Sequence, residues 1–157
     1  MRLRFALPLI WMLALALLLP VAAQTAPPVA DDYSGMYSFL KDGEFIQVTI
    51  EGKATVSGFI SRFGDSESDR GTFLNQFFKS GTSDGSKLSF TTESVHGVWF
   101  TFQGSFERGP GTAPGEEAYY LLRGALSRFS TDAEKKVSSR MTQVELRSFP
   151  KDTTPPQ

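Results

Sequence analysis

Apolar and polar residues alternate along this chain in short runs separated by turn residues, the pattern typical of antiparallel β-strands. The clearest run spans residues 45–50, where Ile46, Val48 and Ile50 would share one face. Asp42-Gly43, just before it, can adopt the positive φ angles of a tight hairpin. The pattern predicts seven strands, at residues 36–40, 45–50, 54–63, 87–93, 95–107, 119–129 and 140–149.

One segment departs from this two-residue period. Phe73, Leu74, Phe77 and Phe78 recur at helical spacing between residues 69 and 81. Gly81 is placed to end a helix in the left-handed conformation. We therefore predict a short helix here, with another strand as the alternative, because periodicity alone cannot assign so short a run.

Glycines within the predicted strands indicate that the sheet is curved. Gly58, Gly97, Gly104 and Gly124 each interrupt an apolar run, where glycine adds no side-chain packing. Such glycines mark bends, bulges or close contacts that curl a sheet. The predicted fold class is all-β, an antiparallel up-and-down barrel or strongly curled sheet of seven or eight strands, with one short helix.

The two ends of the chain differ in composition from the predicted sheet. Arg2 and Arg4 precede an apolar run at residues 5–19, and small residues follow at 21–23, as in a signal peptide. We expect a signal peptide at 1–23, a flexible leader at 24–33, a β-barrel domain at 34–150 and a disordered tail at 151–157. The expected product is exported, periplasmic or extracellular, and has no membrane span.

Composition narrows the class of partner. The chain has no cysteine, so neither disulfides nor lipid attachment at a cysteine can follow export. Removing Arg2 and Arg4 from the 16 basic residues leaves 14 against 17 acidic ones, a formal charge of −3. This charge argues against a nucleic-acid partner. Phenylalanine is abundant instead, and 13 of the 14 lie beyond the signal, enough to build an aromatic core.

The opening of the predicted domain carries a family resemblance. Gly35-Met36-Tyr37, a hairpin, the strand at 45–50 and a strand that contains Ser57-Gly58-Phe59 resemble the start of avidin and lipocalin-type (calycin-like) barrels. The resemblance covers about a fifth of the chain and implies a barrel fold. No biotin-binding position can be carried over from it, and the predicted helix departs from the avidin pattern. The whole chain is also similar to small exported bacterial proteins, which implies no activity.

His96 is the single histidine of the chain. On a regular strand it would share a face with Val98, Phe100 and Phe102. Two interpretations stay open. It is either a strand-end histidine bonded to backbone or a neighbouring carboxylate, or a residue that contacts a ligand or acts as an acid or base.

Motifs for metals and nucleophiles are incomplete. Residues 65–69 carry carboxylates at alternate positions, as calcium loops do, but Arg70 and Gln76 stand where an EF-hand needs glycine and a carboxylate. Residues 81–85 match the skeleton of a nucleophile elbow but have the composition of a turn. We therefore predict no metal, no cofactor and no catalytic residue.

These patterns favour an exported, non-catalytic barrel that binds a small, largely apolar or aromatic molecule. The alternative is an envelope protein-interaction or structural module with a filled barrel. A third possibility is a hydrolase-like enzyme that uses His96 with Glu93 or Glu107. The residues expected to line a ligand site are Tyr37, Phe59, Phe90, His96, Phe100, Phe102 and Tyr120.

Overall fold

A computed structural model describes residues 32–52 and 54–151, which form one antiparallel sheet of eight strands in sequence order. The strands are β1 (Gly35–Ser38), β2 (Phe45–Glu51), β3 (Thr55–Phe63), β4 (Phe73–Asp84), β5 (Lys87–Thr92), β6 (Val98–Arg108), β7 (Tyr120–Thr131) and β8 (Val137–Arg147). The predicted signal peptide and most of the predicted leader and tail lie outside the described residues. No helix in the described part of the chain is long and apolar enough to cross a membrane.

The sheet curls until its first and last strands meet. Tyr37 in β1 forms an antiparallel bridge with Ser148, just beyond β8. The Arg147 amide donates to Ser38 Oγ at 2.9 Å, and the Phe149 amide donates to the Met36 carbonyl at 2.8 Å. The predicted fold class, an antiparallel up-and-down barrel or strongly curled sheet, is confirmed.

The helix predicted between residues 69 and 81 is wrong, because this segment forms strand β4. Positions four apart share a face on a strand as well as on a helix, so the pairs Phe73/Phe77 and Leu74/Phe78 fit both. A register shift between Phe78 and Ser80 then changes the phase of the strand. Among the described residues, the helical structure is a single 3₁₀ turn at Glu67–Asp69.

The interior of the sheet is filled by large side chains. Phe90 stacks on Phe78 and Phe102, with ring centres 4.3 Å and 5.4 Å apart. Gly104 and Gly124 are register partners beside this stack. A Cβ at Gly104 would lie 2.5 Å from Phe102 Cζ and 2.1 Å from the Arg123 carbonyl oxygen, so the ring and the neighbouring strand require glycine there. The prediction that strand glycines mark close contacts is confirmed at this pair.

One end of the barrel is plugged by the chain segment that enters β1. Tyr33 stacks on Phe106 with ring centres 4.5 Å apart, and it meets Tyr120 edge-on at 4.8 Å. The buried Tyr37 hydroxyl donates to the Tyr33 carbonyl at 2.7 Å. Arg108 lies over the Tyr119 ring at 3.4 Å. Tyr33, placed in the leader by the sequence analysis, therefore packs against the core.

Candidate ligand site at the mouth of the barrel

Four connections gather at the opposite end of the barrel because neighbouring strands are antiparallel. They join β1 to β2, β3 to β4, β5 to β6 and β7 to β8, at residues 39–44, 64–72, 93–97 and 132–136. We call this end the mouth. A site that opens into the interior of the barrel would lie here, since Tyr33 packs in the other end.

Arg62 is the central polar residue of the mouth. It lies near the end of β3 on the core-facing side, and only 4% of its side chain is exposed. Its Nε donates to Gln76 Oε1, and its Nη1 donates to the Phe63 carbonyl at 3.0 Å. Gln76, fully buried, donates in turn to the Glu93 and Val98 carbonyls at 3.2 Å and 2.8 Å. Arg62 and Gln76 thus connect β3 and β4 to the turn between β5 and β6.

The Nη2 atom of Arg62 has no hydrogen-bond partner among the described residues. Every fully buried side-chain nitrogen or oxygen in that part of the chain has a partner, so Nη2 keeps access to solvent. The guanidinium carbon lies 5.6 Å from the centre of the Phe100 ring. Burial lowers the pKa of Arg62, an effect that the adjacent Asp65 carboxylate opposes.

Two carboxylates hold the connections around Arg62. Glu44 is buried, and its oxygens accept from the Lys41 amide at 3.1 Å and the Phe63 amide at 3.0 Å. Asp65 Oδ2 accepts from Arg62 Nη1 at 2.9 Å and from Arg128 Nη2 at 3.0 Å. Asp65 therefore attaches the β3–β4 connection to β7, on the far side of the mouth.

Leu74 supplies an apolar surface beside this polar cluster. It is half-buried and is the register partner of Arg62, so both side chains project from the same face of the sheet. The arrangement combines a few fixed polar groups with apolar surface, as small-molecule sites do.

The structure corrects the predicted position of His96. It lies at a tight turn, not on β6, and its φ of 51° is followed by 76° at Gly97. Val95 and Val98 form the bridge that closes this turn. His96 Nδ1 lies 2.7 Å from Asp69 Oδ2, which lowers the pKa of Asp69. His96 is thus bonded to a carboxylate of the β3–β4 connection, and its contact with a ligand stays a prediction.

The other residues expected to line the site lie in three places. Phe100 lies at the mouth, beneath Arg62. Four more belong to the packed core, with exposures of 1%, 4%, 1% and 8%: Tyr37, Phe90, Phe102 and Tyr120. Phe59 lies on the outer face instead, where it contacts Phe45 and Phe77, with ring centres 5.9 Å and 5.6 Å apart.

Phe59 belongs to an aromatic patch on the outer face of β2, β3 and β4. Phe73 and Phe77 are 49% and 58% exposed, and Phe73 packs on Phe63 at 4.3 Å. The helix predicted between residues 69 and 81 is instead the strand that bears part of this patch. The outer patch consists of Phe45, Phe59, Phe63, Phe73 and Phe77.

The cluster of Arg62, Gln76, Glu44 and Asp65 was not predicted from the sequence. Arg62 falls two residues after Ile60, on the core-facing period of β3, so its placement could have been read from the alternation. Gln76 was hidden by the helix prediction. For the acidic loop that includes Asp65, the expected partner of Asp69 was Arg70, whereas Asp65 pairs with arginines and Asp69 with His96.

Comparison with known proteins supports the fold. No protein-family model matches the chain, and no curated protein matches it. The solved rhizavidin–biotin complex superposes with a TM-score of 0.54 over 80% of this chain and 99% of that one, at 8% identity. The intact apo form of afifavidin gives 0.54 over 79% and 88%, at 14% identity. The chain therefore has the fold of an avidin-type β-barrel, and the likeness extends to the fold alone.

Proposed function

We propose that this chain is an exported, non-catalytic barrel that binds a small molecule with a largely apolar or aromatic body. The observation that carries the proposal is Arg62, a buried guanidinium fixed by Gln76, with Nη2 left for another acceptor at the mouth. A rigid donor beside apolar surface can orient a ligand. Rhizavidin, which shares the fold, was solved with biotin bound, in keeping with this kind of function.

The proposed ligand lies at the mouth and not deep in the barrel. Phe90 and Phe102 occupy the interior by stacking on each other, and both are almost fully buried. Leu74 and the Arg62 guanidinium above Phe100 would instead form the contact surface. Glu107 is not part of this contact surface, since it pairs with Arg123 on the outer face.

The proposal can be tested with an uncharged aromatic probe, N-phenyl-1-naphthylamine, whose fluorescence rises in apolar sites. We expect saturable binding that Leu74→Ala weakens about fivefold, because about 1 kcal/mol of apolar contact is lost. Phe77→Ala, on the outer face of the same strand, is the matched control and should leave the affinity unchanged. Absence of saturable binding, or binding that only Phe77→Ala reduces, would refute a ligand site at the mouth.

Export is tested separately. We propose cleavage after Ala23, so N-terminal sequencing of the protein recovered from the periplasm or the medium should begin at Gln24. Recovery of the chain from the cytoplasm with its first residues intact would contradict export.

A protein-interaction role is a second candidate function, and the outer patch favours it. Phe73 and Phe77 expose large rings on one continuous face of β3 and β4. Sedimentation velocity over a range of concentrations would detect self-association, and the double variant Phe73→Ser/Phe77→Ser should abolish it. A chain that stays monomeric before and after the substitutions gives this role no support.

A further inference from the structure

Around Asp65, at the mouth, positive groups outnumber the carboxylates that pair with them. Asp65 is shared by three cations: Arg62 at 2.9 Å, Arg128 at 3.0 Å and Lys41 at 3.7 Å. The Glu44 carboxylate is occupied by two backbone amides. Within this group, three cations therefore share one carboxylate, although other carboxylates lie on the same connections.

Arg140 adds a further cation to this cluster. It is the register partner of Arg128 on β8, so the two side chains project from the same face of the sheet. Leu126 on β7 and Leu146 on β8 share that face and belong to the core, which identifies it as the inner one. Arg140 makes no ion pair with the described residues.

This arrangement costs stability unless an anion is present. Like charges directly opposite across two strands repel each other. Arg128 also contributes to lowering the pKa of the buried Arg62, because these two guanidinium groups repel each other. Guanidinium groups bind carboxylate, sulfonate or phosphate oxygens in pairs, and charge-assisted hydrogen bonds are stronger than neutral ones.

We propose that the ligand carries an anionic head group, which Arg128 and Arg140 bind at the rim and Arg62 Nη2 binds beneath. This inference rests on the proposed function, and it adds the chemical class of the ligand: an amphiphile with one anionic group and an apolar body. The carboxylate of Asp65 keeps two of the arginines in position, and the head group supplies the missing negative charge.

Two probes that differ in one sulfonate test the proposal. 1-Anilinonaphthalene-8-sulfonate is the anionic counterpart of N-phenyl-1-naphthylamine, and we expect it to bind about tenfold more tightly. Arg128→Gln/Arg140→Gln should remove this preference and leave the affinity for the uncharged probe within about twofold. Both positions are solvent-accessible, so the variant should fold, and an unchanged unfolding midpoint would verify that.

Arg123→Gln is the matched control, since Arg123 lies on the outer face of β7 between Glu107 and Glu145. It should change neither affinity. If the uncharged probe binds as well as the sulfonate, and the arginine substitutions change nothing, the anionic head group is refuted while the ligand site stands. If neither probe binds, or if Leu74→Ala affects neither, the site itself is refuted and the inference falls with it.

Discussion

Arg62 is a charged residue at a core-facing position, and its partners make that position tolerable. A guanidinium with 4% exposure loses most of its hydration, a loss that hydrogen bonds must offset. Gln76, Phe63 and Asp65 supply acceptors for Nε and Nη1. Gln76 also saturates two backbone carbonyls at the β5–β6 turn, so one amide side chain supports both sides of the mouth.

Replacing Gln76 with Leu should destabilise the fold by about 2–3 kcal/mol, because Arg62 Nε then loses its acceptor inside the barrel. The double variant Arg62→Met/Gln76→Leu should recover part of this loss, since no buried charge is left unpaired. Urea unfolding monitored by circular dichroism measures both. Asn75→Ala, exposed on the same strand, should stay within about 0.5 kcal/mol of the parent. A single variant as stable as the parent would show that the bond contributes nothing.

A substitution at Gly104 tests the close contact between β6 and β7. Gly104→Ala would place a methyl group 2.1 Å from the Arg123 carbonyl oxygen and 2.5 Å from the Phe102 ring. We expect a loss of about 2 kcal/mol in the free energy of unfolding, from forced backbone shifts. Ser105→Ala, the next residue on β6, is the control and should have little effect. Equal stabilities of the two variants would contradict the proposed constraint.

Individual residues differ in how far the sequence specifies them. The inward position of Arg62 follows from the two-residue period that also buries Ile60. Its ion-pair network does not, because Asp65 and Arg128 are 63 residues apart and meet only when the sheet curls. Phe100 could be placed inside from the alternation, and Phe59 could have been placed outside, because it lies one residue before the buried Ile60 on an unbroken period.

At the scale of elements, seven of the eight strands could be predicted from the sequence, and β4 could not. Seven predicted runs correspond to β1–β3 and β5–β8, because alternation and turn residues agree there. β4 was assigned to a helix, since its apolar pairs are four residues apart and its bulge breaks the period. Val95 was assigned to β6, although the turn at His96-Gly97 begins the strand only at Val98. The alternation could not indicate this turn, because a positive φ at histidine is uncommon.

The bond between His96 and Asp69 links two connections, and acid should break it. The pKa of Asp69 is lowered in the folded chain, chiefly by His96, so the ionised carboxylate stabilises the fold at pH values above its ordinary pKa. That contribution is lost as the pH falls below about 4, through the lowered pKa. Thermal unfolding between pH 6 and pH 2.5 should therefore depend less on pH in Asp69→Asn than in the parent.

Glu67→Gln is the control for this titration, since Glu67 lies in the same 3₁₀ turn as Asp69. Its pH profile should follow that of the parent. His96→Gln should resemble Asp69→Asn, because either substitution removes the same bond. If all three variants keep the parent profile, the link contributes nothing to stability in acid.

For the molecule as a whole, the two ends of the barrel do different work. Tyr33 packs on Phe106 at one end, where the contacts are aromatic. Arg62, Asp65 and Arg128 meet at the other, where the contacts are polar and partly exposed. Fold class and curvature were predictable from the strand pattern and the glycines. The difference between the aromatic end and the polar end was not predictable, because it depends on which side chains meet after the sheet has curled.

This division predicts that stability and binding can be changed independently. Tyr33→Ala removes a stacked ring from the plugged end and should cost about 2 kcal/mol of unfolding free energy. It should leave the affinity for 1-anilinonaphthalene-8-sulfonate unchanged, since the mouth keeps all its contacts.

Arg128→Gln/Arg140→Gln should do the reverse and lower that affinity about tenfold. The urea midpoint should stay within error or rise, because the substitutions remove repulsion between opposed charges. Met36→Ala, exposed on β1, controls for the first substitution. A Tyr33→Ala variant that loses probe binding while it remains folded would mean that the two ends are coupled, and the ligand site would then have to extend through the barrel.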